Sequence, residues 1–331
     1  MIDWLTLKLY GSLLSPEVRA KFTQRQDKIV RLSPEGEIIW EIPARTSIRS
    51  DSHQITVRLA SDLEIKGSPA RVMHSDNVFG SSDILECFHA MRKYVANQLE
   101  IILLANPEIW QCKVVDITEN YMLDSLIEVK QALNYLRHAE GWRYQVQTKA
   151  ETIYWSKTSR LRAGKAYAKG PHLEYQKKKG QVEISDEYLQ AALKLLRLEL
   201  RLGFQFWRER SEKPWYKYTS DDFKQMHHDY FSQFIGDIEL TENDDILEKL
   251  KNITTEGQAF SAYRTWKLIR TDGMESARAL MTKSTWYRHK YLLNQVGMSW
   301  ADFQEGNTVP FRRKTICLDN TVSSWNEVLF K

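Results

Sequence analysis

The segment LRLELRL, residues 196–202, constrains this chain more than any other. In an extended strand successive side chains point to opposite faces, so Leu198, Leu200 and Leu202 fall on one side and Arg197, Glu199 and Arg201 on the other. The pattern commits the chain to a sheet with one apolar and one charged face. An acid inside a strand is costly unless it is paired or ligated. Asp116, which interrupts VVDIT, and Glu64, on the polar face of LEIK, raise the same question.

Other segments supply the partners of that strand. Leu5, Leu7 and Leu9 alternate with polar neighbours, as do Ile55, Val57 and Leu59, and then Leu63 and Ile65. Asp83 with Glu86 three residues on reads as a capping box. Ile84, Phe88, Met91, Val95, Leu99 and Ile102 then recur at helical spacing. Val114 to Thr118 predicts a strand, and Leu126, Val129, Leu133 and Leu136 a second helix. Strands are expected at about 143–148, 152–156 and 162–168, and a helix at about 186–195. The fold class is therefore α+β, with a mixed sheet-and-helix domain over residues 1–205. Residues 206–256, first aromatic and then acidic, read as a helical linker. Residues 257–331 are expected to be mainly helical, with a helix-turn-helix-like pair around Thr282-Lys283-Ser284. Ser284 or Thr285 would cap its second helix, and Gly297 would close it.

Charge is unevenly spread along the 331 residues, although the net charge is only +4. Residues 157–179 hold eight bases and one acid, residues 220–256 ten acids and three lysines, and residues 260–314 ten bases and four acids. Two basic blocks with interleaved aromatics point to a polyanion such as nucleic acid. An ordinary solvated surface is the alternative for either block alone. Arg288 and Lys290, on the second helix of the helix-turn-helix-like pair, are candidate DNA contacts. Three scattered cysteines form neither a disulfide framework nor a zinc spacing, and a reducing cytoplasm is expected. The start has no leader pattern, and the longest apolar run, 101–105, is too short to span a membrane.

The block TIYWSKTSRLRAGKAYAKG, residues 152–170, can carry chemistry. On a strand over 162–168, Lys165, Tyr167 and Lys169 share one face. Nearby cations favour a phenolate and stabilise charge on a phosphate under attack. Tyr167 is therefore a candidate nucleophile toward a phosphodiester, with Lys165 and Lys169 as charge stabilisers, and Tyr154 is the reserve. An exposed tyrosine on a basic sheet face is the plain alternative. Mg²⁺ or Mn²⁺ takes oxygen ligands, which makes Glu64, Asp116 and Glu199 the candidate metal set. A salt bridge to the flanking arginines explains Glu199 equally well. A metal-activated water is a further alternative to a tyrosine. No P-loop and no Gly-x-Ser-x-Gly motif occurs.

The block EIKGSPARVMHSDNVFGSSD, residues 64–83, closely resembles one in replication initiators of filamentous bacteriophages, the phage/plasmid gene II/X replication family. The opening MIDWLTLKL, the block TSRLRAGKAYAKG and the strand LRLELR resemble further blocks of that family, in order across residues 1–205. The resemblance implies a site-specific, Mg²⁺-dependent endonuclease in the cytoplasm of a bacterial host. Such an enzyme nicks double-stranded replicative DNA at an origin, leaves a 3′ hydroxyl for host polymerase and helicase, and later rejoins the displaced single strand. It implies that the loop within 63–83 lines the site, with Lys66 and Arg71 on phosphate. Arg160 and Arg162, in the second block, are expected on DNA as well. The family pattern often carries a histidine before Asn-Val-Phe-Gly, where this sequence has Asp76, with His74 two residues earlier. Metal ligand and general base are both open for that position. The paired-histidine metal site of many rolling-circle nickases is absent, since no His-x-His occurs. Two other classes compete with the enzyme: a non-catalytic origin- or operator-binding protein, and an RNA-binding protein.

Overall fold

The computed structural model describes residues 1–49, 54–137, 146–149, 152–210, 212–233, 243–296, 298 and 318–330. Its strands are β1 (Ile2–Leu9), β2 (Lys28–Leu32), β3 (Ile38–Pro43), β4 (Thr46–Arg49), β5 (Gln54–Leu59), β6 (Leu63–Gly67), β7 (Trp110–Met122), β8 (Val146–Lys149), β9 (Thr152–Trp155), β10 (Arg162–Ala168), β11 (Leu195–Leu202) and β12 (Thr321–Val322). Ten of them form one antiparallel sheet in the order β4-β5-β6-β1-β7-β11-β10-β9-β8. The tenth, β12, lies against Asn120 and Tyr121, on the stretch of β7 that β1 leaves free. β2 and β3 form a separate two-stranded ribbon.

The alternation in β11 fixes which face is covered. Leu196, Leu198, Leu200 and Leu202 are fully buried, as are Leu5, Leu7, Leu9, Leu63 and Ile65 on the other side of β7. Full burial of such a side chain stabilises by about 1.5–3 kcal/mol, so this face dominates the energetics of the domain. The helix Ile84–Leu99 covers one half with Ile84, Phe88, Met91 and Val95 buried; Asp83 caps it through the amides of Leu85 and Glu86. The helices Leu126–Arg137 and Ser220–Phe231 pack against the strands of the other half. His227 belongs to the latter helix, and its Nε2 lies 3.1 Å from the carbonyl oxygen of Leu198.

The boundaries differ from the periodicity in instructive places. The expected 84–102 helix ends at Leu99, where Glu100 turns left-handed (φ 52°), and Ile102 is left 87% exposed. The helix expected at 186–195 is Asp186–Ala192, because Leu195 already belongs to β11. The ribbon β2–β3 was not anticipated. Val146–Lys149 falls at the end of the strand expected at 143–148, whose residues 143–145 lie outside the described residues.

Toward the C-terminus the helices Asn243–Ile253, Glu256–Asp272, Met274–Ala279 and Lys283–Gln295 pack around Trp266, Ile269, Trp286 and Leu293. The last helix is capped by Thr282, whose hydroxyl accepts from the Thr285 amide, and not by Ser284 or Thr285. Gly297 lies outside the described residues. The chain then returns to the sheet through β12, followed by the helix Trp325–Leu329. Among the described residues no helix is long and apolar enough to cross a membrane.

Gly170 marks a close approach of the helix Lys169–Lys178 to the end of the helix Asp186–Ala192. A Cβ there would sit 2.5 Å from Leu193 Cα and 2.6 Å from its nitrogen, both backbone atoms that cannot swing aside. Gly170→Ala is expected to destabilise the fold by about 1–3 kcal/mol in urea unfolding. A change below about 0.5 kcal/mol would show that the two helices slide apart freely.

Candidate active site

The polar face of the central strands gathers the charged residues. Lys165 of β10 stands opposite Glu199 of β11, which stands opposite Thr118 of β7. One step along, Tyr167 faces Arg197 and Arg197 faces Asn120; on the other side Arg201 faces Asp116. Cross-strand partners are about 4.5–5.5 Å apart, so register alone brings these side chains into reach.

Two networks result. In the first, the Tyr167 hydroxyl donates to Glu199 Oε1 at 2.5 Å, and Lys165 Nζ donates to Glu199 Oε2 at 2.9 Å. Lys165 Nζ also lies 4.1 Å from the centroid of the Tyr167 ring. Tyr167 and Glu199 are buried, at 5% and 6% exposure, while the Lys165 side chain is 31% exposed and forms the solvent side of the group. His172 packs edge-on to Tyr167, with ring centroids 5.5 Å apart.

The second network is centred on Arg197, which has no solvent exposure. Its Nη1 donates to the carbonyl of Asn77 at 2.8 Å, its Nη2 to that of Val78 at 2.5 Å and its Nε to Asn120 Oδ1 at 2.8 Å. Asn120 Nδ2 returns a bond to Val78 O at 2.8 Å. Asn77 bridges two charges: it accepts from the fully buried Lys169 at 2.9 Å and donates to Asp3 at 2.9 Å. Asp3 lies 3.9 Å from Arg197. The loop between residues 74 and 79 is therefore clamped onto the sheet through its backbone. Asp76 completes the clamp, accepting from its own loop at Val78 N (2.7 Å) and from Trp325 Nε1 (3.3 Å).

Electrostatics follow from this geometry. Burial works to raise Glu199, but Lys165 and Arg197 outweigh it and hold the carboxyl down at about 2, so it is ionised. Burial and then the Glu199 charge push the Tyr167 phenol well above its usual 10. The expected phenolate, favoured by neighbouring cations, is thus corrected: the hydroxyl is desolvated and donates to an anion, which holds its proton on. Burial and the Arg197 charge bring Lys169 well below the ordinary lysine value. Burial raises Asp116 against the opposing pull of Arg201. His172 keeps part of its ring open to solvent, yet desolvation and then Lys169 and Lys165 lower it to about 4.

The three acids expected to share a metal do not converge. Glu64 is 2.6 Å from Arg45, Asp116 takes a bidentate bond from Arg201 at 2.9 Å, and Glu199 is held by Lys165 and Tyr167. Among the described residues no three His, Cys, Asp or Glu side chains gather in a way that would hold a cation. Their donors are committed to basic partners, so this set does not fit a shared Mg²⁺ or Mn²⁺.

The remaining sequence candidates scatter. His74 is exposed, and the Asp76 carboxylate is engaged by the loop and Trp325. Arg71 donates to Gln181 O at 3.2 Å. Lys66, on the polar face, is lowered by partial burial and by the crowding charges of Arg45 and Arg58. Arg160 is exposed and Arg162 half-buried beside the Phe206 ring. Arg288 is exposed. Lys290 does not face a groove: it is 7% exposed, with its ammonium 5.5 Å from the Trp286 ring centroid. Asp3, Asn77, Asn120 and Trp325 were missed. The polar alternation Asp116, Thr118, Asn120 was the available signal for one of them.

A family model for the N-terminal region of the phage replication-associated protein, the gene II protein, matches residues 1–232. The replication-associated proteins of this type from Enterobacteria phages fd, f1 and M13 are each 27% identical to this chain over 164 residues, covering 44% of this chain and 40% of the relative. The match thus spans well under half the length of these relatives. Among solved structures, the rolling circle replication initiator protein from Geobacillus stearothermophilus aligns with a TM-score of 0.27 and 10% identity, covering 61% of this chain and 73% of that one.

Two outcomes test this description. Glu199 has a depressed pKa in the fold, so its contribution is present above the unfolded carboxyl value and is lost as pH falls through about 2. Glu199→Gln is therefore expected to be less stable than wild type at neutral pH, with the gap narrowing from about pH 4.5 downward; a gap independent of pH in urea titrations would refute the ionised pair. With no acid cluster formed among the described residues, millimolar Mg²⁺ in the absence of DNA is expected to leave the melting temperature unchanged against an equal ionic strength of Na⁺. A rise of several degrees would reveal a metal site of other composition.

Proposed function

Because the chain belongs to the family defined by the N-terminal region of the phage replication-associated gene II protein, we propose that it initiates rolling-circle replication by cleaving and rejoining one DNA strand at an origin, with Tyr167 as nucleophile. The observation that carries this reading is the 2.5 Å bond from the Tyr167 hydroxyl to an ionised Glu199 whose other oxygen is held by Lys165. A nucleophile, a base that accepts its proton and a third group orienting that base form the arrangement that activates hydroxyl nucleophiles.

The roles follow atom by atom. The Tyr167 oxygen attacks phosphorus, its proton passes to Glu199, and the bond from phosphorus to the 3′ oxygen breaks. That oxygen takes a proton from Lys165 and leaves as the 3′ hydroxyl, while the 5′ phosphate stays on the tyrosine as an ester. Resealing runs the same steps backward. The phenol's raised pKa keeps the resting site inert, so proton loss accompanies bond formation and does not precede it. Asp116 and Arg201 act as a structural pair beside the site. Lys66, Arg160, Arg162 and the exposed Arg288 position phosphates without reading sequence. Host polymerase and helicase would work from the freed 3′ end, in the bacterial cytoplasm.

Access favours a second reading. Tyr154 stands opposite Lys165 in register, is only half-buried, and has Lys157 Nζ 4.4 Å from its ring centroid. It reaches DNA with less rearrangement than Tyr167 and would take the same chemical role.

Nicking of supercoiled plasmid carrying the cognate origin, in Mg²⁺ buffer and read on a denaturing gel for protein–DNA adducts, tests both. Tyr167→Phe is expected to abolish nicking and adduct, and Glu199→Gln to slow nicking by about 10²–10⁴-fold, with Tyr154→Phe near wild type. Loss of the adduct in Tyr154→Phe alone would move the nucleophile to Tyr154. A wild-type protein that shifts a verified origin on a gel without nicking it would leave only the DNA-binding reading.

A further inference from the structure

The ribbon β2–β3 has no role in the site just described, and its composition is unusual for an exposed element. Ile29, Val30, Leu32, Ile38, Ile39, Trp40 and Ile42 are 40–63% exposed, and they come from both faces of the ribbon. At roughly 100 Å² for each half-exposed large side chain, they present on the order of 700 Å² of apolar surface. Ordinary monomers rarely expose contiguous patches beyond a few hundred Å². An isolated two-stranded ribbon is also marginally stable in water, so both its area and its strand edges call for a covering partner.

The ribbon is held at a fixed attitude and not loosely tethered. Gln26 Nε2 donates to Ala44 O at 2.8 Å, Gln26 Oε1 accepts from the Leu59 amide at 3.1 Å, and the Ala44 amide bonds Asp27 O at 2.7 Å. These bonds tie the root of the ribbon to β5. A preset arm loses less entropy on docking than a flexible one.

We propose that this ribbon is a self-association surface on which a second copy of the chain docks, ribbon to ribbon, about a two-fold axis. The area argues for it: a standard stable interface covers about 800 Å² per partner, which the ribbon supplies nearly alone. Charge argues for it as well. Lys28 is neutralised within the ribbon by Glu41 at 2.7 Å, leaving Arg31 against Glu35 and Glu37 at the tip. A surface with more acids than bases repels a polyanion, so the ribbon does not suit DNA. It is self-complementary in an isologous pair, where Arg31 of one copy can meet the acids of the other. Antiparallel pairing of β3 with its symmetry mate about Trp40 would set Ile38 opposite Ile42 and Ile39 opposite Glu41, with no like charges opposed.

Sedimentation equilibrium on the full chain, from about 1 to 50 µM, reads the outcome. Wild type is expected to approach twice the 38.9 kDa chain mass. Ile39→Lys and Trp40→Glu, both at exposed positions, are expected to remain at the single-chain mass with unchanged circular dichroism and melting. A second probe does not depend on those variants folding. In a Cys317→Ser background, where the remaining native cysteines are the buried Cys87 and Cys112, Trp40→Cys is expected to give an intermolecular disulfide under mild oxidation. Wild type at the single-chain mass throughout overturns the proposal, as does a dimer that both charge variants leave intact and Trp40→Cys does not cross-link.

Discussion

A guanidinium with no path to water organises the site half of this molecule. Arg197 is fully buried, and its donors are met by two backbone carbonyls of one loop and the side chain of a neighbouring strand. Burying a charge is tolerable only when its donors are satisfied and a counter-charge is near, and Asp3 at 3.9 Å provides the latter. Removing one partner of such an arrangement typically costs about 3–5 kcal/mol. The loop at residues 74–79, the bulged start of β1 and the end of β7 are therefore placed by a single side chain. The same charge helps to keep Glu199 ionised, so fold and site share one electrostatic origin.

That origin also explains why the group around Tyr167 is quiet at rest. Its components are arranged for proton transfer, but burial disfavours the phenolate, and Lys165 and Arg197 make Glu199 a weak base. Chemistry requires a ligand that brings a phosphate to Lys165, the member that reaches solvent. Fixed dipoles and charges aimed at a reaction that has not yet begun cost little reorganisation when it does.

Much of the sheet was legible because period-two alternation is a direct imprint of burial. LRLELRL, the Leu5–Leu9 run and the polar series Asp116, Thr118, Asn120 each separate the covered face from the charged one. The pairing of Lys165 and Tyr167 with Glu199 was only half legible: the strand faces followed from alternation, whereas their register depends on contacts between segments more than 30 residues apart. Carboxylates on separate strands suggested a metal, but sequence cannot show that Arg45 and Arg201 stand closer to Glu64 and Asp116 than any third acid does. The burial of Lys290 was hidden similarly, because a lysine beside a tryptophan on a helix looks the same whether that face meets solvent or its own bundle. The ribbon β2–β3 escaped notice because its apolar residues occupy both faces, which erases the alternation that marks a half-buried strand.

The contact between Trp325 and Asp76 spans 249 residues of chain. Ribosomes add about 5–20 residues per second, so Asp76 is made roughly 12 to 50 s before its cover exists. Contacts of such sequence separation form late in any case, since the intervening loop must close first. A nascent chain thus passes through an interval in which the sheet can assemble while the loop beside the site lacks its indole. The time for which the loop stays uncovered is set by translation speed and by the order in which the chain is written.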